Sequence, residues 1–599
     1  MTALSLSKLC LRPLGWLLAL LVLQPALSTS GSASTPVGDT NRPVTSSESG
    51  SATNPLAYYH FLLGYEHYLA NNLETALAEF DKALSFDPGS AVLRLRLAVL
   101  FQARGEHAKA QLYAEQVLAR DPADVQALQI LATVAGVTGH SEQAIDYYRR
   151  IITLRPNEGE AYFALGLVYA GLKRYEEAEV VVRQGIGATA ESPIGYLYLG
   201  RIMMQQQAWS RAVDAYREAL TQYPTFEPAY LGLATALEAQ DQTAQAIDTY
   251  RKILEEVNHG SREARQRLVR LLLLEKAYEP ALSLLRRAVA ESPDDVEAQL
   301  RLGLIFGELK EYQKAVEQMK LVLTLRPQEL RVRDHLAYLY EELNENDKAV
   351  AEYEGIIRSD DTFGDAHLHL GYLLYRLKRT EEALPHFHRA IALNPKMAEA
   401  HLMLGLTLLQ ANRFDDAIAA FRDGLRGDPK NADLHFNLGT VYDKMGRFDD
   451  VVQEMEEAIT LNPAHADALN YLGYSYAERE VKLNEAVRLI RQALTIKPEN
   501  GYYLDSLAWA YFKLGRYQEA LLEMKRAVAA VPDDPVFFEH LGEICLLNNL
   551  PTDARDAWLR SLELDPTNRK LGERFKAKGF GDPSTEERIR KAQHRLSQN

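Results

Sequence analysis

His367 with His369, and His386 with His388, are the residues of this chain that most invite a metal-ion hypothesis. On a helix, residues two apart point about 200° away from each other, so neither pair can share an ion as an i, i+4 pair can. The cysteines offer nothing better. Cys10 and Cys545 are the only two, so zinc-binding pairs are absent, and neither a glycine-rich phosphate loop entering from a strand nor a nucleophile elbow is found. No catalytic residue, no metal and no cofactor is predicted. The functional residues are therefore sought among those that bind.

The elements that would position them repeat. An alanine recurs at one point of a 34-residue cycle, from Ala76, Ala110 and Ala144 through to Ala554, with Val451 standing in once. Twelve positions earlier the residue is usually small, as in Gly64, Ala98, Gly200, Gly405 and Gly542. Four positions later it is usually large, as in Phe80, Tyr216, Phe387, Phe421 and Trp558. Small side chains at the first two points let paired helices approach to roughly 8 Å, and the large one falls on the same helical face as a core knob. Most cycles then close with a proline such as Pro88, Pro122, Pro395 or Pro566, often after Asp or Asn, which stops the helix before it. Each unit reads as helix, tight turn, helix, stop. Such a unit cannot bury its own apolar surface, so the units must stack.

These marks resemble the tetratricopeptide repeat (TPR) family, which is small at position 8, Ala at 20, aromatic at 24 and Pro at 32. The resemblance covers residues 57–568 as fifteen repeats and implies an all-α, right-handed superhelical α-solenoid of about fifteen TPR helix pairs. Two cycles are longer by one residue. One extra residue falls near Val257-Asn258-His259-Gly260, where the closing proline is also missing, and a joint is expected near 257–261. The other lies in the turn Glu478-Arg479-Glu480-Val481-Lys482. His60, His367, His401 and His435 all fall at position 4, which the family fills with a bulky packing residue, so packing is expected of them rather than ligation.

Positions 2, 5, 9 and 12 share one face of the first helix of a repeat. In the TPR family that face lines the concave groove, which the resemblance places along Tyr58, Phe61, Tyr65 and Tyr68, then Arg201, Arg270, Tyr372, Tyr375 and Arg376. It continues through Phe436, Asn437, Asn470, Tyr471, Tyr474, Tyr502, Asp505, Trp509 and Phe512. Aromatic rings with a few amides and arginines suit a peptide: large area at small rotamer cost, with polar heads for a backbone. An aromatic stripe at helical spacing can also be core; here positions 8, 20 and 24 already supply the core, so the clusters Tyr58 to Tyr68 and Tyr471 to Phe512 are expected to be at least partly exposed. Some TPR domains grip a C-terminal carboxylate with Lys and Asn from successive repeats. Thr440 and Tyr474 stand at position 9 and the lysines are missing, so that clamp is not expected.

Lys8 and Arg12, the apolar run Leu14 to Leu23, and Ala26-Leu27-Ser28 match a secretory signal over residues 1–28, with cleavage after Ser28. The alternative is an uncleaved membrane anchor. Residues 29–56, rich in Ser, Thr, Gly and Pro, read as a disordered tether. Removing a signal with two cations and no acid takes the formal charge from −15 to −17, which opposes phosphate backbones. Nucleic acid is accordingly not expected as a partner, and no small-molecule substrate is expected either. The segment 569–599 is basic, and Ser584-Thr585-Glu586-Glu587 has the form of a capping box that starts a last, array-covering helix.

The stretches Ala468-Leu469-Asn470-Tyr471-Leu472-Gly473-Tyr474 and Tyr503-Leu504-Asp505-Ser506-Leu507-Ala508-Trp509 are similar to long bacterial envelope TPR proteins, among them lipoprotein adaptors of carboxyl-terminal processing proteases. Cys10 precedes the apolar run and cannot carry the lipid of such a protein. The resemblance implies a non-catalytic scaffold, periplasmic or secreted, that holds an extended segment of a partner protein in its groove. An envelope protease, a peptidoglycan hydrolase or an export complex is the implied class of partner. The alternative is a soluble structural component of an exopolysaccharide or envelope export machine.

Overall fold

A computed structural model describes residues 54–189 and 192–598, with side chains through Arg595. The protein is an all-α solenoid: among the described residues 79% are helical, in 32 helices, and there is no strand. Fifteen helix pairs run from Pro55–Leu69 with Leu73–Phe86 to Pro535–Leu547 with Pro551–Leu564, and two further helices, Arg569–Ala577 and Pro583–Gln598, follow. The chain forms two compact units, Met1–Ile305 and Phe306–Asn599. The signal-like residues 1–28 and nearly all of the expected tether lie outside the described residues. The first helix begins at Pro55, where the Asn54 side chain accepts the Leu56 N–H.

The recurring small residue and the recurring aromatic explain each other. A Cβ added at Gly200 would lie 2.5 Å from the Tyr216 ring, at Gly371 2.7 Å from Phe387, and at Gly64 2.8 Å from Phe80. The aromatic of the second helix thus occupies the volume that a side chain on the first would need. The alanine at position 20 is fully buried in every repeat that carries it, between the paired helices.

Both turns of the cycle are local chemistry. Within each of the fifteen repeats, the residue at position 15 has a positive φ of 56–82°, from Asn71 and Gly105 to Gly515 and Asn549. Only four of these are glycine, so the turn accepts the left-handed conformation in Lys, Gln and Asn as well. Between repeats, the Asp or Asn before the proline folds back on the residue after it: Asp121 Oδ1 accepts from Ala123 N at 2.9 Å, Asn462 Oδ1 from Ala464 N at 3.1 Å, and Asp565 Oδ1 from Thr567 N at 3.0 Å.

The two extra residues are absorbed differently. The first becomes a π-helical turn, Ile253–Val257, at the end of a second helix inside the first unit, followed by His259, whose Nδ1 lies 2.6 Å from the Leu254 carbonyl. The second gives repeat 13 an additional left-handed residue, Lys482 at φ 43°, beside the usual one at Glu480. At the C-terminus, Leu571 and Phe575 are buried against Trp558, Leu559 and Leu562. The last helix is capped two residues before the expected Ser584: Asp582 Oδ1 accepts from the N–H groups of Ser584 and Thr585 at 2.9 Å each, and Thr585 Oγ1 accepts from Asp582 N. A carboxylate followed by Pro583 outcompetes the Ser584 hydroxyl as the cap.

Candidate functional site

The rings of the first repeat stand as a row. Tyr58 is exposed, and Phe61, Tyr65 and Tyr68 are half-buried. Phe61 and Tyr65 have centroids 6.3 Å apart, and Tyr65 and Tyr68 6.4 Å, while Phe61 leans on the core ring of Phe80 at 5.7 Å. The hydroxyls of Tyr58, Tyr65 and Tyr68 have no hydrogen-bond partner among the described residues. The rings of Phe61, Tyr65 and Tyr68 thus rest on the core of the first two repeats.

Cations along the same face are mostly spent on the preceding repeat. Arg270 pairs with Glu238, which also accepts from the Tyr250 hydroxyl at 2.6 Å. Arg376 donates to Glu341 at 3.0 Å and lies 5.8 Å from the centre of the Tyr372 ring. The buried Glu341 accepts in addition from the Tyr353 hydroxyl at 2.8 Å, and burial holds its carboxyl above the usual range despite both partners. Arg201 is exposed and sits 5.5 Å from the Tyr198 ring centre. Tyr372 and Tyr375 are half-buried.

At the C-terminal end the expectation of a partly exposed cluster is corrected for three of its residues. Trp509, Asp505 and Asn470 are enclosed, at 7%, 4% and 6% exposure. Trp509 donates its indole N–H to Glu478 of the preceding repeat at 2.8 Å and lies between His540 and Phe512, with ring centres 4.2 and 4.8 Å away. Asp505 pairs with His540 of the next repeat at 2.7 Å. Burial opposes the charged imidazole, but the Asp505 charge and hydrogen bond outweigh it and raise the His540 pKa. Tyr471 donates to Asp443 at 2.9 Å and meets Phe436 edge-on at 5.9 Å. Burial and then the neighbouring carboxylates hold the Tyr471 and Tyr474 phenols well above their ordinary range. Asn437 bonds only within its own helix, to the Asp433 carbonyl at 2.8 Å. Tyr474 and Phe512 are half-buried, and Tyr502 is exposed with its ring edge-on to Phe537 at 5.3 Å. Successive first helices approach closely here, so positions 5 and 9 of one helix form a seam with position 6 of the next.

Sequence reasoning missed the acids of that seam. Asp334 with His369 at 2.9 Å, Asp505 with His540, and Glu341 with Arg376 are each 35 residues apart, one repeat plus one. Opposite charges recurring at the repeat period were the available signal. The histidines at position 4 do pack, and three of them reach position 23 of the second helix: His60 meets Glu79 and His435 meets Glu454, both at 2.6 Å, while His367 meets His386 at 3.2 Å. His401 instead reaches the Pro395 carbonyl at 3.1 Å. Among the described residues no three His, Cys, Asp or Glu side chains are grouped so as to hold a metal ion, and no helix is long and apolar enough to cross a membrane.

Two family models described as tetratricopeptide repeat match most of the chain. One matches residues 131–193, 271–329, 336–398, 379–432 and 506–569, the other 67–133, 203–272 and 408–472. The chain belongs to the tetratricopeptide repeat family. A TPR repeat-containing protein of Pseudomonas aeruginosa is 37% identical over 76 residues, a stretch that spans 13% of this TPR chain and 13% of that protein. Among solved structures, the APC/C hetero-tetramer Cut9-Hcn1 is 14% identical at a TM-score of 0.37, covering 88% of this chain and 98% of its own. Yeast Tom70, also 14% identical at 0.37, covers 76% and 99%, and Pseudomonas aeruginosa pilF, 20% identical at 0.33, covers 37% and 98%. TPR proteins in general bind peptide or protein partners, and membership of the family supports a protein-interaction scaffold here.

Proposed function

We propose that this TPR protein is a non-catalytic adaptor of the bacterial envelope that holds an extended segment of a partner protein along the face shared by its first helices. The observation that carries the reading is the contrast between its two ends. In repeats 13 and 14 the polar heads of Tyr471 and Trp509 are engaged by Asp443 and Glu478 of the preceding repeat. In repeat 1 the hydroxyls of Tyr58, Tyr65 and Tyr68 meet no partner among the described residues, and the rings of Tyr65 and Tyr68 are already packed on the core. Rings held in place before binding lose little entropy when a peptide arrives, and their hydroxyls can pair with its backbone. The seam at the other end supplies rigidity rather than contact area.

The envelope location rests on residues 1–28, whose cations, apolar run and small-residue end have the form of a secretory signal. An envelope protease, a peptidoglycan hydrolase or an export complex is the class of partner that fits such a place. The test is capture from intact envelopes by crosslinked purification, comparing the native chain with Tyr58→Ala/Tyr65→Ala/Tyr68→Ala. Loss of partners with unchanged helical content is expected. Equal recovery by the two proteins would show that the groove of the first repeat is not where partners sit.

A further inference from the structure

The first repeat departs from all later ones on the face that a preceding repeat covers elsewhere. Position 3 is buried in every later repeat, as in Leu93, Ala127, Ala229, Leu434 and Phe537. Gly195, which holds that position in repeat 5, lies against Ile186 of the preceding second helix. In the first repeat the residue is Tyr59, 56% exposed, and one turn on stands Leu62, 48% exposed. Position 10, filled by buried Leu100, Ile202 and Leu339 further along, is here the exposed Glu66. Tyr59, Leu62 and Glu66 are spaced three and four apart, so they form one row along the open side of the helix Pro55–Leu69. This row lies beside the groove row of Tyr58, Phe61, Tyr65 and Tyr68 but is distinct from it.

We propose that this row is a self-association surface, on which the first helix of a second copy of the chain lies antiparallel in an isologous pair. The chain itself narrows the choice of occupant. A second copy cannot stack head to tail, because the second helix of repeat 15 is already covered by Leu571 and Phe575 of the closing helix. Its own first helix is the apolar end that it still offers. The row is also complementary to itself when reversed about Leu62, with a donor at one end and an acceptor at the other. An antiparallel copy sets Leu62 against Leu62 and brings each Tyr59 hydroxyl beside the Glu66 carboxylate of the other copy, a donor facing an acceptor. The helix carries no Lys or Arg, so no cation is buried by the pairing. Residues 29–53 contain no Leu, Ile, Met or aromatic side chain with which the chain might cover the row itself.

The experiment is sedimentation velocity on the full-length secreted chain over a wide concentration range. Twice the single-chain mass is expected for the native protein and the single-chain mass for Leu62→Glu, with unchanged helical content because Leu62 is at the surface. Leu62→Cys should crosslink to itself under mild oxidation. Leu112→Cys, 52% exposed on the second helix of repeat 2, should not. Cys545 is buried and Cys10 is changed to Ser in every variant, so neither competes. A single-chain mass at every concentration would overturn the proposal, as would a dimer that survives Leu62→Glu. A single-chain mass with Tyr59 protected from iodination would place the preceding residues of the same chain on the row, and would overturn it equally.

Discussion

The pair Asp505–His540 allows the seam to be tested quantitatively. Both side chains are largely enclosed, at 5% and 13% exposure, 2.7 Å apart, with the imidazole stacked under the Trp509 indole. Removing one partner of a buried pair costs about 3–5 kcal/mol because the other charge is left without compensation. The two deletions should not be equal. After Asp505→Ala, His540 can shed its proton and become a neutral ring under Trp509, so the cost should fall to the low end, about 3 kcal/mol. After His540→Ala, Asp505 is left as a carboxylate whose remaining escape is to take up a proton, and the cost should approach about 5 kcal/mol. The double variant removes both charges, so it should be milder than the sum by about 2 kcal/mol. A whole-chain melting curve is a poor readout, since fifteen repeats need not unfold together. Amide hydrogen exchange resolves the helices Gly501–Lys513 and Pro535–Leu547 directly. At about 1.4 kcal/mol per decade, Asp505→Ala should speed their exchange by about two decades while repeats 1 to 7 keep the native rate. Less than a tenfold change in both single variants, or strict additivity in the double, would refute the view that this face is a load-carrying seam between repeats.

The related pair Asp334–His369 predicts a pH dependence. Burial disfavours the His369 imidazolium, but the Asp334 charge and hydrogen bond outweigh it and raise the pKa from 6.5 to about 9. A raised histidine adds stability that is fully present below its unfolded value and lost as pH rises through the folded one. Between pH 6.5 and 9, exchange in the helices Leu330–Glu342 and Gly364–Arg376 should therefore accelerate beyond the intrinsic chemical rate, and His369→Gln should flatten that extra dependence. Gly405→Ala should destabilise by about 1–3 kcal/mol through overpacking, because the added methyl would fall inside contact distance of the fully buried Phe421 ring. Chemical denaturation checks it; a stabilised variant, as helix propensity alone would give, would mean that Phe421 has room to move.

How much of this was legible in the sequence depends on whether a feature repeats. The helix pairs are written fifteen times over, and the small-to-aromatic packing of Gly371 on Phe387 and the proline stops recur in most cycles, so period alone discloses them. Exposure on the inner face is written once per residue and depends on the neighbour one period away. Tyr58 and Trp509 look alike as groove aromatics, yet Tyr58 stays in water because no helix precedes it among the described residues, whereas Trp509 is closed off by Glu478 behind and His540 ahead. The helical pattern within a single repeat cannot separate the two cases, since position 9 and position 2 lie on the same stripe. What separates them is a residue of opposite character some 31 to 36 positions distant, such as Glu478 for Trp509 or Asp334 for His369. In a stacked array the unit that decides whether a side chain binds a partner or binds its own molecule is therefore the pair of adjacent repeats, and the first repeat, with nothing described behind it, is where rings remain available.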